Sequence, residues 1–180
     1  VHIPSSRAIA VGLAAGFAGA LVAGCAGDLT PPPGPRFEGD APQAQINLEA
    51  EAGPNGNPVQ GRANASGGSA VLLTNDGSVR LPFDLRNPGQ YTLVVRYSSD
   101  GPGTRSEEVS VSIDAKPVGQ FEAQNTRASG QNVGAGWSNF VLSPTLGPVD
   151  LSRDTHTVVV KVTAGDRYGI DIDGLGLTRH

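Results

Sequence analysis

Residues 79–97 read VRLPFDLRNPGQYTLVVRY, and this stretch decides the fold. Val79, Leu81, Phe83 and Leu85 alternate with Arg80, Pro82, Asp84 and Arg86. After the turn residues Asn87-Pro88-Gly89, the same alternation returns in Tyr91, Leu93, Val95 and Tyr97. An apolar period of two gathers one set of side chains on one face of an extended chain, so both runs are half-buried strands joined by a turn.

Outward from there the pattern repeats. Val109, Val111 and Ile113 form one such run, and Val158, Val160 and Val162 another, closed by the turn residues Ala164-Gly165-Asp166. Towards the N-terminus, Ile46, Leu48 and Ala50 alternate with Asn47, Glu49 and Glu51. Shorter candidates lie at residues 70–74, 118–122, 137–142 and 170–177, and no helix-length 3.6 periodicity occurs. About nine strands in one chain predict an all-β fold, a two-sheet sandwich or jelly roll. In the last run, Ile170 and Ile172 have one parity and Leu175 and Leu177 the other, which requires a bulge at or near Gly174.

Composition agrees. The chain has 180 residues, enough for one domain with a sizeable core, and its 25 Gly, 14 Pro and absence of Met fit many short turns. A formal charge of −4 with scattered arginines leaves no electrostatic footprint for nucleic acid. A single Cys excludes an internal disulfide and any zinc clamp built on a Cys pair.

That Cys is informative by position. Arg7 precedes an uncharged Ala/Gly/Leu/Val-rich run, which Leu21-Val22-Ala23-Gly24-Cys25 closes with small residues. Residues 1–24 therefore read as a signal peptide. The closing residues resemble the lipobox of bacterial lipoproteins, which implies lipidation at Cys25, export, and a membrane-anchored place in the cell envelope, at the surface or in the periplasm. Residues 25–45, with Pro31-Pro32-Pro33-Gly34-Pro35, read as an extended tether, and residues 46–180 as the folded module.

Glu49 and Glu51 share one face of the first predicted strand, with Cα atoms about 7 Å apart. They are either solvated or compensated by a hard cation, to which Asp171 or Asp173 could contribute oxygens from a terminal strand. Leu48-Glu49-Ala50-Glu51, Ala65-Ser66-Gly67-Gly68, Gly89-Gln90-Tyr91-Thr92-Leu93-Val94-Val95-Arg96-Tyr97, Gly136-Trp137 and Ile170-Asp171-Ile172-Asp173 follow in order. Together they resemble the landmarks of carbohydrate-binding modules of families 6 and 35. The resemblance implies a galactose-binding-like jelly roll, noncatalytic binding of a polysaccharide or glycan, and a structural calcium held by Glu49, Glu51 and Asp173.

A sugar site needs a flat aromatic surface with polar groups at its rim. Trp137 is the only tryptophan; Phe140 and Leu142 carry the apolar parity, so Trp137 and Asn139 are expected to face away from the core. The resemblance likewise implies Trp137 as a platform, against the simpler reading of a ring that caps the core. Asn139, Asp166 and Tyr168 are the further ligand-binding candidates. Asn75-Asp76-Gly77-Ser78 lacks the second aromatic that many such modules use, which keeps open an envelope protein contact on the same fold. Arg105, Arg127 and Arg167 fall in predicted loops, where a guanidinium either is solvated or pairs with the carboxylate of an acidic sugar. Catalysis finds little support: His156 is the only His in the module besides His180 at the end, and Glu107 and Glu108 are adjacent strand residues facing opposite ways.

Overall fold

The computed structural model describes residues 46–54, 56–102 and 106–180. Cys25, the segments before residue 46 and Arg105 lie outside the described residues. Among the described residues there are eleven strands: β1 (Ile46–Glu49), β2 (Val59–Gly61), β3 (Ser69–Leu73), β4 (Ser78–Asp84), β5 (Gly89–Ser98), β6 (Glu107–Ile113), β7 (Lys116–Ala123), β8 (Val141–Leu142), β9 (Leu146–Leu151), β10 (Thr155–Ala164) and β11 (Ile170–Arg179). They form a seven-stranded sheet, ordered β2-β3-β11-β5-β8 with β1 on β11 and β9 on β5, and a four-stranded sheet ordered β4-β10-β6-β7.

All the ladders are antiparallel. The alternation read from the sequence becomes the core. Val71, Leu73, Leu93, Val95, Leu175 and Leu177 from one sheet meet Val79, Leu81, Val109, Val111, Val158 and Val160 from the other, each at most 2% exposed. Each such side chain contributes about 1.5–3 kcal/mol on burial, which makes the inter-sheet layer the main source of stability.

Two strands, β2 and β9, were not expected. β2 is three residues long and has no apolar run, and β9 is broken by Gly147-Pro148. Conversely, the strand expected at 137–142 is a correction: Ala135–Ser138 is a 3-10 turn, and only Val141–Leu142 pairs with β5. The expected bulge is present, as a register shift between Ile172 and Gly174 where β11 pairs with β5. It keeps both Ile172 and Leu175 in the core and re-aims Asp173, the residue between.

Candidate functional site

The chemistry-bearing residues collect on the outer face of the seven-stranded sheet. Because Ile170 and Ile172 enter the core, Asp171 must point out of the sandwich, where it pairs in register with Leu72 and Ser98. In β1, Leu48 opposes Leu175 and Glu49 opposes Gly174, so Glu49 takes the same outer side. The strand stops there: Glu51 lies in a 3-10 turn (Ala50–Ala52), and this turn, in place of the strand alternation expected, brings it to the cluster.

Glu49, Glu51 and Asp173 lie close together: the Asp173 charge raises the pKa of both glutamates, and the Glu51 charge raises that of Glu49. Burial pushes Glu49 up to about 7, the Ser66 hydroxyl opposing this and the Asp173 and Glu51 charges adding to it. Burial also raises Glu51 and Asp173. A loop caps the cluster: the Ser66 backbone N–H donates to Asp173 Oδ1 at 2.7 Å, and the Ser66 hydroxyl donates to Glu49 Oε1 at 3.1 Å. Arg96 donates to the other Asp173 oxygen and to the Asn64 carbonyl, the latter at 2.9 Å. Gly67 turns the loop at φ +64°, where a Cβ would come within 3.2 Å of Glu51 Oε1. Glu49 Oε2 and Glu51 Oε2 are buried with no hydrogen-bond partner among the described residues.

Beside this cluster stands a second carboxylate–arginine unit. Arg62 Nε donates to Asp171 Oδ2 at 2.5 Å, and the guanidinium lies 5.0 Å over the Trp137 ring. Arg96 is arranged alike, 4.9 Å over Phe140. Phe140 therefore covers the outer face and does not enter the core, contrary to the parity assigned to it. Trp137 is half-buried; its carbonyl accepts from Ser98 Oγ at 3.1 Å, and the neighbouring Ser138 carbonyl accepts from Asn64 Nδ2 at 2.9 Å.

The arm that carries Trp137 is tied to the end of β5 through Asp100, a fully buried carboxylate. Gly134 N and Gly136 N donate to its Oδ2 at 2.6 and 2.7 Å, and Arg127 Nη1 lies 3.2 Å from its Oδ1. Arg127, a candidate for a free loop cation, is thus committed to holding the arm. Asn139 Nδ2 donates to the Thr126 carbonyl at 3.2 Å and to Gln131 Oε1 at 3.0 Å, so it braces the arm from within. A cleft of about 430 Å³, lined by Gln124, Asn125, Arg127 and Gln131 among others, opens along this arm.

Asp166 and Tyr168 stand elsewhere on the rim, in the loop between β10 and β11. Asp166 Oδ1 accepts from the Tyr168 and Gly169 backbone N–H groups at 2.7 and 3.3 Å, which spends that oxygen on shaping its own loop. Arg167 folds back over Tyr168, 4.9 Å from the ring, and donates to its hydroxyl at 2.7 Å. Tyr168 approaches Gly101, where a Cβ would lie 3.6 Å from its Cδ2.

Two remaining titratable groups are structural in their contacts. Glu107, 1% exposed, accepts from Ser99 Oγ at 2.9 Å, and burial pushes its carboxyl up to about 7. His156 is held at both ring nitrogens, by Asp114 at 2.6 Å and the Ser152 carbonyl at 2.9 Å. Burial pulls it down, but those two bonds outweigh it and the net shift is upward. Sequence reasoning assigned no role to Arg62, Arg96 or Ser66. Arg96 had a signal, a charge at an outward position within a long apolar strand; Arg62 follows a strand too short to carry one.

The described residues form a two-sheet β-sandwich of the galactose-binding-like type, a fold shared with solved carbohydrate-binding modules. A family 35 module from Clostridium thermocellum superposes with a TM-score of 0.55 at 21% identity, over 74% of this chain and 98% of that one. The module CBM6cm-2 of Cellvibrio mixtus lichenase 5A, in complex with cellotriose, gives 0.54 at 17% identity, over 77% and 99%. The insecticidal delta-endotoxin Cry8Ea1 of Bacillus thuringiensis gives 0.61 at 16% identity, over 74% of this chain but only 24% of the toxin. The delta endotoxin family model (Endotoxin_C) matches residues 44–176, and the chain belongs to that family. Among curated proteins none matches the sequence.

Proposed function

We propose that this chain binds glycan without cleaving it, through the outer face of the seven-stranded sheet around Trp137. The observation that carries the reading is the placement of the only tryptophan: half-buried, outside the core, with its carbonyl fixed by Ser98 and its ring beside an arginine. An aromatic face with polar neighbours suits the C–H face of a pyranose. Noncatalytic action agrees with the engagement of His156 at both nitrogens and with the enclosure of Glu107. Glycan-array binding by the full chain, abolished or strongly weakened in Trp137→Ala, is the expected result; binding unchanged in that variant, or absent for every glycan, overturns the reading.

A hard cation is proposed for the carboxylates left short of positive charge: the Asp173 charge acts on both Glu49 and Glu51, and Glu49 Oε2 and Glu51 Oε2 are buried without partners among the described residues. As they stand, these side chains form no closed set of three metal ligands. Calcium bound by Glu49, Glu51 and Asp173 would supply the missing positive charge and tie β1 to β11. A thermal midpoint that falls on chelation is expected, and equal midpoints with calcium and with chelator remove the ion from the account. Residues 1–24 are proposed to direct export and Cys25 to carry a lipid anchor, tested by loss of membrane association in Cys25→Ser.

A second reading, an envelope protein contact on the same fold, is favoured by one observation: Asn75-Asp76-Gly77-Ser78, at the β3–β4 connection, carries no second aromatic. Specific co-purification of one envelope protein by a chain that binds no glycan would select it.

A further inference from the structure

We infer that Asp100 is the positioning residue of Trp137: its buried carboxylate, and not apolar packing, seats the arm that carries the ring. Between Ala123 and Leu146 no residue joins the apolar core. The arm, residues 124–140, therefore draws its seat from polar contacts, and most of these converge on the end of β5. Ser98 Oγ donates to the Trp137 carbonyl at 3.1 Å, the Ser99 carbonyl accepts from Thr126 N at 2.8 Å, and the Gly101 carbonyl accepts from Asn125 Nδ2 at 3.1 Å. These are neutral bonds. Asp100 alone in this stretch brings a formal charge.

That charge is spent on the arm. The Asp100 side chain has no exposed surface; its Oδ2 takes the Gly134 and Gly136 amides at 2.6 and 2.7 Å, and Arg127 Nη1 stands 3.2 Å from Oδ1. All three donors belong to the arm, and the second amide is one residue from Trp137 itself. Hydrogen bonds to an ionised acceptor are roughly twice as strong as neutral ones, and a desolvated carboxylate holds its donors more tightly still. Two amides drawn onto one oxygen close the turn Ala135–Ser138 that presents the ring. The seat is cut to fit: a Cβ on Gly136 would lie 2.9 Å from Asp100 Cβ and 2.8 Å from Arg127 N, and Gly134 takes φ +101°.

An asparagine at position 100 keeps the shape but sets an NH2 group against donors that have no acceptor to spare. The arm can then leave its seat while the sandwich, which owes it no core residue, stays folded. Ring placement is thus controlled from behind the site, by a residue that touches no ligand. The inference rests on the glycan-binding reading only where affinity is measured.

Trp137 is the only tryptophan, so its emission reports on the arm alone. The test measures emission and acrylamide quenching of the full chain, with far-UV circular dichroism, for wild type, Asp100→Asn, Gly136→Ala and Asp100→Asn/Arg127→Gln. Asp100→Asn and Gly136→Ala are expected to shift emission to longer wavelength and to raise quenching, with the strand signal kept. The double variant relieves the stranded guanidinium but leaves the amides without their anion, so its emission is expected to stay shifted. Unchanged emission and quenching in either folded single variant overturns the inference, because the ring is then seated without the carboxylate. Wild-type emission in the double variant overturns it too, because Asp100 then serves only to neutralise Arg127. Loss of the strand signal in both single variants assigns Asp100 to the fold at large and overturns it likewise. With a glycan that wild type binds, folded Asp100→Asn is expected to lose about tenfold or more in affinity. A displaced ring with equal affinity leaves Asp100 as the positioning residue and overturns instead the placement of the glycan on Trp137.

Discussion

Asp171 and Asp173 stand two residues apart on one strand, both fully buried, and each meets an arginine that also lies over an aromatic ring. The units differ in charge. Around Asp171 one carboxylate faces one guanidinium, Arg62. Around Asp173, Arg96 is set against Asp173 and the two glutamates, Glu49 and Glu51. Burial raises the pKa of both aspartates in spite of their arginines, and only the second unit raises a glutamate to about 7. One unit is balanced in formal charge, one carboxylate to one guanidinium; the other sets three carboxylates near one guanidinium and carries excess negative charge.

Breaking each unit separates them. Removing one partner of a buried ion pair costs about 3–5 kcal/mol, so Arg62→Met and Arg96→Met both lower the thermal midpoint sharply. Calcium is expected to recover much of the Arg96→Met loss, because the ion supplies charge to Asp173, and none of the Arg62→Met loss. Equal recovery in both variants by differential scanning calorimetry contradicts the distinction.

A smaller effect is expected at the loop that caps the charged unit. Gly67→Ala forces a Cβ into a left-handed position, at a cost of about 1–2 kcal/mol, and crowds Glu51 Oε1. Weaker calcium binding with unchanged glycan binding is the predicted pairing, read by titration of each ligand.

The smallest effect lies outside both units, at Glu107, which faces Ser99, Asp166 and Tyr97. Burial raises its carboxyl to about 7, so the folded chain holds the proton more tightly than the unfolded chain does. The stability that this contributes is complete below the ordinary glutamate range near 4.5 and is lost as pH rises through about 7. Glu107→Gln should therefore flatten the decline in thermal midpoint between pH 5 and pH 8; an unchanged slope would exclude Glu107 as its source.

The period-two runs made the sandwich legible, down to the bulge beside Gly174, because core burial writes itself into parity. The pair Glu49 and Asp173 was legible for the same reason, each lying on the outer side of a strand whose inner side is apolar. What parity cannot report is cross-chain pairing. Arg62 comes from a loop and meets Asp171 from the last strand, 109 positions away. The stretch around Trp137 misled because Phe140 and Leu142 mimic an apolar strand face, whereas Asp100 gathers the Gly134 and Gly136 amides into a turn. Asp166 was legible as a rim residue, but not the use of its carboxylate to shape its own loop.

Affinity electrophoresis of the full chain through gels containing single polysaccharides, with the glycan recovered and its chain length measured, tests the central claim most directly. The account predicts retardation by at least one polysaccharide, loss of that retardation in Trp137→Ala, and a recovered glycan of unchanged length. Free migration of the folded chain through every polysaccharide, or a shortened glycan, would contradict it.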